Sequence, residues 1–269
     1  MLALSTLQTD VNELVENVDV VLHAAAASDW HESLELAMRR NVHATMQLLT
    51  LAKQMKRLKI FVHVSSAFVT CRENGAHEVE ERIYPLGFDV DDVVHELSTM
   101  KSRKMAKNSP KLLRGFANTH AFTKALVEIM LITHKENVPL AIVRPAILGA
   151  TYREPFPGWV DSLSVAGTLF MYTGLGLVNF VPGNPDHLVD LVPCDYASNL
   201  LLTAIAQLGS NPGALVTAED VPIFHISSSH NPLTWGYAAQ TMTTYWQKNQ
   251  PKQAIGPPSV YLISKHALY

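Results

Sequence analysis

Two side chains that could act together in proton transfer stand four residues apart in the stretch NTHAFTKALVE, residues 118–128. His120 and Lys124 fall on one face of the helix that this stretch predicts, because residues four apart lie one turn above another. An imidazole can exchange a proton with a ligand oxygen, and an ammonium can stabilise negative charge that develops there. Taken alone, Lys124 is more often a solvated helix lysine than a catalytic one, so the pair needs other residues to define a site.

Three other groups stand where strands or helices of the same site would end. HAAA (residues 23–26) and the serine pair Ser65 and Ser66 each close an apolar run, and NVHAT carries Asn41 with Thr45. Each has a simpler explanation: small residues that pack, a polar residue inside a helix, or serines that cap a loop. Their order along the chain is what favours a common site.

The elements that would position these residues alternate between strand-like and helix-like patterns. Apolar runs of strand length predict strands, and apolar residues at helical spacing predict helices. The segment 71–114 is charge-rich and is expected to be irregular around one helix. The predicted strands are 18–27, 59–68, 139–148 and 222–228, and the predicted helices are 31–57, 91–100, 119–136, one from 195 and one from 234. Strands separated by helices predict an α/β fold with a doubly wound, parallel sheet.

Glycine is absent from the part of the chain where a phosphate-binding turn would be expected. All 13 glycines lie at Gly75 or later. A dinucleotide-binding sheet uses a glycine-rich turn after its first strand to approach a pyrophosphate closely. The turn after residues 18–27 therefore cannot supply that cradle.

The composition excludes some classes of function. The chain has 269 residues, 48% of them hydrophobic, and a formal net charge of −3 without a basic run, which argues against nucleic-acid binding. No spacing typical of a metal site occurs among the twelve histidines. Cys71 and Cys194 are expected to be free thiols in a reducing compartment.

One long segment is free of charge. Residues 162–185 contain no Asp, Glu, Lys or Arg, which raises the question of a membrane span. Glycines and Asn179 argue against a spanning helix. The segment is better explained as the lining of an apolar substrate tunnel or as a surface that rests against lipid.

Several longer stretches resemble one family. The stretch 16–69, together with EVEERIYP, NTHAFTKALVE, LAIVRPAILGA, DLVPCDY and NPLTWG, is similar to the reductase domain of the alcohol-forming fatty acyl-CoA reductases, in the extended short-chain dehydrogenase/reductase superfamily. The likeness covers nearly the whole chain. The RPAI motif is shared with other extended reductases, whereas Tyr84-Pro85, DLVPCDY and NPLTWG are more specific.

The resemblance implies an activity and a set of roles. The family reduces a long-chain acyl-CoA thioester with NADPH to a fatty alcohol through an aldehyde. In this sequence Ser66 would bind the carbonyl oxygen and Lys124 the cofactor ribose. Asn41 would orient a water or backbone relay, and His120 stands at the family's tyrosine position. The implied cofactor-binding residues are His23, Ala24, Ala25, Lys124, Arg144 and Pro145.

Two departures from the family pattern bear on activity. Histidine replaces the phenol that normally delivers the proton, so impaired proton delivery is expected. By resemblance the chain also starts after the family's first βαβ unit. It would then consist of an incomplete NAD(P)-binding domain over residues 1–232 and the start of a carboxyl-terminal helical domain over 233–269.

Several alternatives stay open at this point. The chain could be a non-catalytic relative that binds acyl-CoA or a partner protein, or an extended reductase that acts on another substrate. An incomplete sheet would leave an edge at residues 18–27, which a partner chain could cover. The resemblance also implies association with the peroxisomal or endoplasmic-reticulum membrane, although no anchor is evident.

Overall fold

The computed structural model describes residues 8–70, 79–163, 165–217 and 221–263. Cys71 lies outside the described residues, and Cys194 is a free thiol. The chain divides into two compact units. The first consists of Met1–Arg144 with Leu201–His225, and the second consists of Pro145–Leu200 with Ile226–Tyr269. The division expected at residue 232 stays a prediction.

The first unit is built on a parallel sheet. Its strands are β1 (Val20–His23), β2 (Ile60–Val64), β3 (Leu140–Pro145) and β8 (Ile223–Ile226), hydrogen-bonded in that order. β1 is parallel to β2, and β2 is parallel to β3. Every residue of β2 except Val64 is buried, as expected of a strand that is covered on both faces.

The helices of this unit follow the predicted order, with two further helices over 8–17 and 102–112. The long helix predicted over 31–57 is interrupted by a π-helical turn, and a helix follows α4 where irregular chain was expected. The helical elements are α1 (Gln8–Asn17), α2 (Leu34–Ala37), the π-helical turn (Met38–His43), α3 (Ala44–Ala52), the 3-10 turn (Ala67–Thr70), α4 (Val90–Thr99), α5 (Ser102–Leu112) and α6 (Thr119–His134).

Helix α6 lies at the centre of this unit. Asn118 caps its first turn, since its Oδ1 accepts a hydrogen bond from the Ala121 N–H at 2.8 Å. Phe122, Leu126 and Leu131 are fully buried in the hydrophobic core. The helix contacts the π-helical turn and the 3-10 turn that follows β2, which places it beside the end of that strand.

Apolar residues are exposed at the β1 edge of the sheet. Within the described residues β1 has β2 as its only neighbouring strand. Val20 and Leu22 are 38% and 44% exposed. A partner chain over this edge remains a prediction.

The second unit contains short strands and two packed helices. Trp246 of one helix donates a hydrogen bond from Nε1 to the Phe170 carbonyl of the other at 2.7 Å. Its elements, and those of the remaining chain, are β4 (Ile147–Gly149), α7 (Val165–Leu175), β5 (Phe180–Pro182), β6 (Leu188–Val189), β7 (Leu191–Pro193), α8 (Cys194–Gly209), α9 (Pro212–Thr217), β9 (Leu233–Thr234), α10 (Trp235–Lys248) and β10 (Tyr261–Ile263).

Two further properties concern the described ranges as a whole. None of the helices they contain is both long enough and apolar enough to cross a bilayer. The same ranges contain no group of three or more His, Cys, Asp or Glu side chains placed to hold a metal ion.

Candidate functional site

Lys124 is a buried ammonium at the end of a strand. Its side chain extends from α6, and its Nζ donates a hydrogen bond to the Val64 carbonyl at 2.6 Å. The residue is 3% exposed. Burial lowers the pKa of Lys124 to about 8, while the Glu128 carboxylate acts to raise it. Among the described residues Val64 is its one recorded acceptor, so two N–H groups remain available to a ligand.

Asn41 is fully engaged with the protein. It lies in the π-helical turn, where its Oδ1 accepts from the Ala27 N–H at 2.7 Å. Its Nδ2 donates to the Ala27 carbonyl at 3.1 Å and to the Thr123 hydroxyl at 2.9 Å. Both amide donors are therefore used, and the side chain fixes the chain after β1 against α6. This geometry favours a positioning role for Asn41 over a water relay.

His120 contacts the same carbonyl as Asn41. Its Nδ1 lies 3.0 Å from the Ala27 oxygen. Burial lowers the pKa of His120 below its usual 6.5, the hydrogen bond to Ala27 opposes that shift, and the Lys124 ammonium adds to it. At neutral pH the ring is therefore predominantly uncharged.

Ser66 follows β2 two residues beyond the carbonyl that Lys124 binds. Its Oγ accepts a hydrogen bond from the Phe68 N–H at 3.2 Å, which leaves its own O–H free to donate. The neighbouring Ser65 Oγ is buried and has no hydrogen-bond partner among the described residues. Helix α6 contacts the 3-10 turn that begins just after Ser66.

His23 forms a pair that its sequence context did not predict. It lies opposite His63 in the register of β1 and β2, and the two Nδ1 atoms are 3.0 Å apart. Burial, with a smaller effect of the Lys124 ammonium, lowers the pKa of His23 to about 4. The pKa of His63 is lowered well below its usual value for the same reasons. The two rings are therefore neutral and share one hydrogen.

The remaining residues predicted to bind a cofactor differ in their surroundings. Ala24 and Ala25 follow His23 and are exposed, so their backbone is open to a ligand. Arg144 is 1% exposed, and all its donors have protein acceptors. Pro145 closes β3 and belongs to the second unit.

Arg144 is held by a bidentate ion pair. Its Nε and Nη2 donate to the Glu128 carboxylate at 2.9 and 2.6 Å. The other donors contact the carbonyls of Glu80 and Arg82 and the His225 ring. Cofactor binding by Arg144 stays a prediction, and its contacts indicate that it fastens the segment around residue 80 to the sheet.

The structure thus links part of the predicted set and adds residues to it. Asn41, His120 and Lys124 are joined through Ala27 and the first turns of α6, and Lys124 binds the Val64 carbonyl, two residues before Ser66. Thr123 and His63 were missed. A histidine at the same place in two neighbouring apolar runs was the signal for His63, whereas nothing in the sequence singles out Thr123.

A groove of about 660 Å³ lies elsewhere on the first unit. It is lined by residues 83 and 85–91 and by Ile129, Met130 and Thr133 of α6. None of the predicted site residues contributes to it.

Solved structures of low sequence identity share this fold. A UDP-glucuronic acid 4-epimerase from Bacillus cereus, in complex with NAD, aligns with a TM-score of 0.60 at 16% identity, over 96% of this chain and 66% of that chain. The terminal R domain of the myxalamid biosynthetic pathway aligns with a TM-score of 0.56 at 16% identity, over 91% of this chain and 50% of that chain. The Rossmann-like fold expected from the sequence is confirmed.

Curated proteins of higher identity are named fatty acyl-CoA reductase 1 or 2. Fatty acyl-CoA reductase 1 of Xenopus laevis is 34% identical over 97% of this chain, and that of Homo sapiens is 34% identical over 100% of it. Fatty acyl-CoA reductase 2 of Bos taurus is 32% identical over 93%. The chain spans about half the length of these relatives, 49%, 50% and 47% respectively.

The match to a family is broad. Residues 2–201 match the NAD-binding domain family that is described as male sterility protein. This range contains every residue of the candidate site. The chain therefore belongs to the male sterility protein family.

Proposed function

We propose that this protein is a fatty acyl-CoA reductase-like oxidoreductase. It would use NADPH to reduce a long-chain acyl-CoA thioester to a fatty alcohol through an aldehyde. The observation that carries the proposal is the buried Lys124 ammonium at the end of β2, with two free donors and with His120 one turn before it. The names of the curated relatives support the choice of substrate.

The residues present fit the ribose end of a nicotinamide cofactor. The free N–H groups of Lys124 suit hydroxyl acceptors, and the exposed backbone at Ala24 and Ala25 allows close approach. When bound, the cofactor supplies the hydride. The turn after β1 carries alanines and no glycine, so a nucleotide at this turn would contact alanine backbone.

The chain's own side chains would then divide the work on the substrate oxygen. Ser66 would donate its free O–H to the carbonyl oxygen, where negative charge develops. Lys124 would supply positive charge beside it, and Asn41 would position His120 through Ala27. The proton for this oxygen would come from the imidazolium form of His120, a minor form at neutral pH, because the uncharged ring has no second N–H to give.

The uncharged segment of the second unit would offer an apolar surface to the fatty chain. Helix α7 and the residues up to 185 carry no charge, and Leu163, Leu177 and Phe180 are exposed. Burial of each methylene contributes about 0.8 kcal/mol. The same surface would serve for contact with a peroxisomal or endoplasmic-reticulum membrane.

A second candidate function is supported by one contact. The His120 Nδ1 is engaged by the Ala27 carbonyl, and a neutral imidazole has no other N–H to give to a substrate. A non-catalytic protein that binds acyl-CoA or a partner would not need that proton. Cofactor consumption separates the two functions.

The direct test is turnover by the purified chain. NADPH oxidation would be followed with palmitoyl-CoA, and the products would be identified by mass spectrometry. We expect NADPH-dependent formation of aldehyde or alcohol that is lost in Lys124→Ala and kept in Lys135→Ala, a control at the exposed end of α6. Saturable binding of palmitoyl-CoA without any product would favour the non-catalytic function instead.

A further inference from the structure

The hydrogen position on His120 follows from its partner. The Ala27 carbonyl oxygen can only accept hydrogen bonds, and it lies 3.0 Å from Nδ1. The hydrogen of the neutral ring must therefore be on Nδ1. A neutral imidazole carries one N–H, so Nε2 holds a lone pair and no hydrogen.

Asn41 holds that carbonyl in place. Its amide bonds both backbone groups of Ala27, accepting at 2.7 Å and donating at 3.1 Å. The amide is itself anchored by the Thr123 hydroxyl on α6, one residue before Lys124. His120 lies on the same helix as Thr123. The pair of Asn41 and Thr123 therefore fixes the His120 ring and the Ala27 carbonyl relative to each other.

The charge around the ring opposes a second hydrogen on Nε2. Burial of the ring is the largest effect that lowers the pKa of His120, and the nearby Lys124 ammonium further disfavours an imidazolium. The Glu128 carboxylate, which could have offset this ammonium, is bound by both Nε and Nη2 of Arg144.

We infer that His120 presents a hydrogen-bond acceptor to the ligand, so that the site recognises a hydroxyl group, that of a primary fatty alcohol, in preference to a carbonyl group. This inference rests on the proposed function, of which the alcohol is the product. An alcohol oxygen can accept from the free Ser66 O–H and donate to Nε2 at once, whereas a carbonyl oxygen can only accept. A tyrosine at position 120 would favour the opposite ligand when its phenol is protonated.

The ring assignment is tested by ¹⁵N magnetic resonance of the full chain labelled at histidine. We expect a protonated Nδ1 and a bare Nε2 at neutral pH, in the ring whose signals disappear in His120→Gln. In Asn41→Ala the two nitrogens should move towards an average of both tautomers, and in the control Asn108→Ala they should not. A ring protonated on Nε2 in the unaltered chain would overturn the inference whether or not the variants fold.

The ligand preference is tested with decanol and methyl octyl ketone, two ten-carbon ligands that differ in the oxygen group. We expect decanol to shift the Nε2 resonance towards the protonated type, and to bind about two- to tenfold more tightly than the ketone, the effect of one net hydrogen bond. His120→Phe should remove the difference. Equal affinities in the unaltered chain, or no response of Nε2 to either ligand, would overturn the preference.

The outcomes keep this inference apart from the proposed function. Failure to consume NADPH would contradict the reductase proposal and leave the ring assignment as measured. A reversed ring assignment would contradict the inference and leave NADPH-dependent reduction to stand on its own assay.

Discussion

The replacement of a phenol by an imidazole at position 120 changes which partner gives the hydrogen. A phenol can donate from its single oxygen, while the His120 hydrogen points at the Ala27 carbonyl. The sequence predicted impaired proton delivery from the reference pKa of histidine and from the nearby lysine. It could not predict the engaged Nδ1, because the Ala27 carbonyl is 93 residues away along the chain.

Reduction by this chain should increase when the phenol is restored. In His120→Tyr we expect turnover of an acyl-CoA to rise at least about tenfold, because a positioned general acid contributes about 10²–10⁴-fold. The rate of the unaltered chain should fall as pH rises through neutrality, since the imidazolium fraction falls. His134→Tyr, at the exposed end of the same helix, is the control, and an unchanged rate in His120→Tyr would contradict this explanation.

The buried histidine pair should make the fold sensitive to acid. The pKa of His23 is about 4 in the folded chain, against about 6.5 when unfolded. Between these values the unfolded state binds more protons, so stability falls as pH falls from about 6.5 to 4, by up to about 3 kcal/mol. Urea unfolding across this range measures it.

The matched variant for this effect is His23→Leu with His63→Leu. Both rings of the pair are removed together, so no neutral ring is left without its partner. The pH dependence of its unfolding free energy should be weaker than that of the unaltered chain. An equally steep profile in the double variant would assign the acid sensitivity to other groups.

At the scale of residues, the sequence predicted some residues of the site and missed others. Lys124 and Asn41 were found because their types and spacing are typical of a family. Thr123 joins the site through Asn41, 82 residues away, and His63 through His23, 40 residues away. Such contacts depend on tertiary structure, and no local pattern reports them.

At the scale of elements, the packing of α7 against α10 depends on a small residue at the contact. A Cβ on Gly174 would clash with the Trp246 ring. A Cβ on Gly167 would make ordinary contacts, with the Leu163 side chain at 3.7 Å and the Ser162 carbonyl at 3.9 Å. The two glycines of this helix therefore differ in what they tolerate.

Substitution of these glycines should have opposite effects. We expect Gly174→Ala to lower the unfolding free energy by about 1–3 kcal/mol through overpacking. Gly167→Ala should raise it by up to about 1 kcal/mol, because alanine favours a helix over glycine. Thermal unfolding followed by circular dichroism measures both, and equal shifts would contradict the packing of α7 on α10.

The ion pair between α6 and β3 is a second test at this scale. Glu128→Gln leaves the Arg144 guanidinium buried without its counter-charge, and we expect a loss of about 3–5 kcal/mol. The exposed pair of Lys53 and Glu136 is the control, since Glu136→Gln should cost at most about 1 kcal/mol. Similar losses in both variants, measured by chemical unfolding, would show that the buried pair carries no special stability.

The sequence predicted most elements because apolar periodicity is local. The four strands of the parallel sheet and α6 lie within the predicted stretches, and α10 follows its Thr234 cap. Helix α5 was missed because it is mostly polar and buries only Met105, so no apolar stripe marks it. The run 139–148 became two strands in different sheets, a choice that depends on distant partners.

At the scale of the whole molecule, exposed apolar side chains concentrate in the second unit. Of the described residues there, Leu163, Phe180 and Ile255 are among the most exposed, and none is among the residues that would act on the substrate oxygen. The absence of charge over 162–185 predicted an apolar surface. What covers it depends on a ligand, a lipid or another chain, which a sequence pattern cannot distinguish.

The central claim is that Lys124 belongs to a nicotinamide site, and calorimetric titration with NADPH tests it most directly. The account expects saturable binding by the unaltered chain, at least about tenfold weaker binding by Lys124→Ala, and no change in the control Lys135→Ala. The absence of saturable binding, or equal affinity in Lys124→Ala, would contradict it.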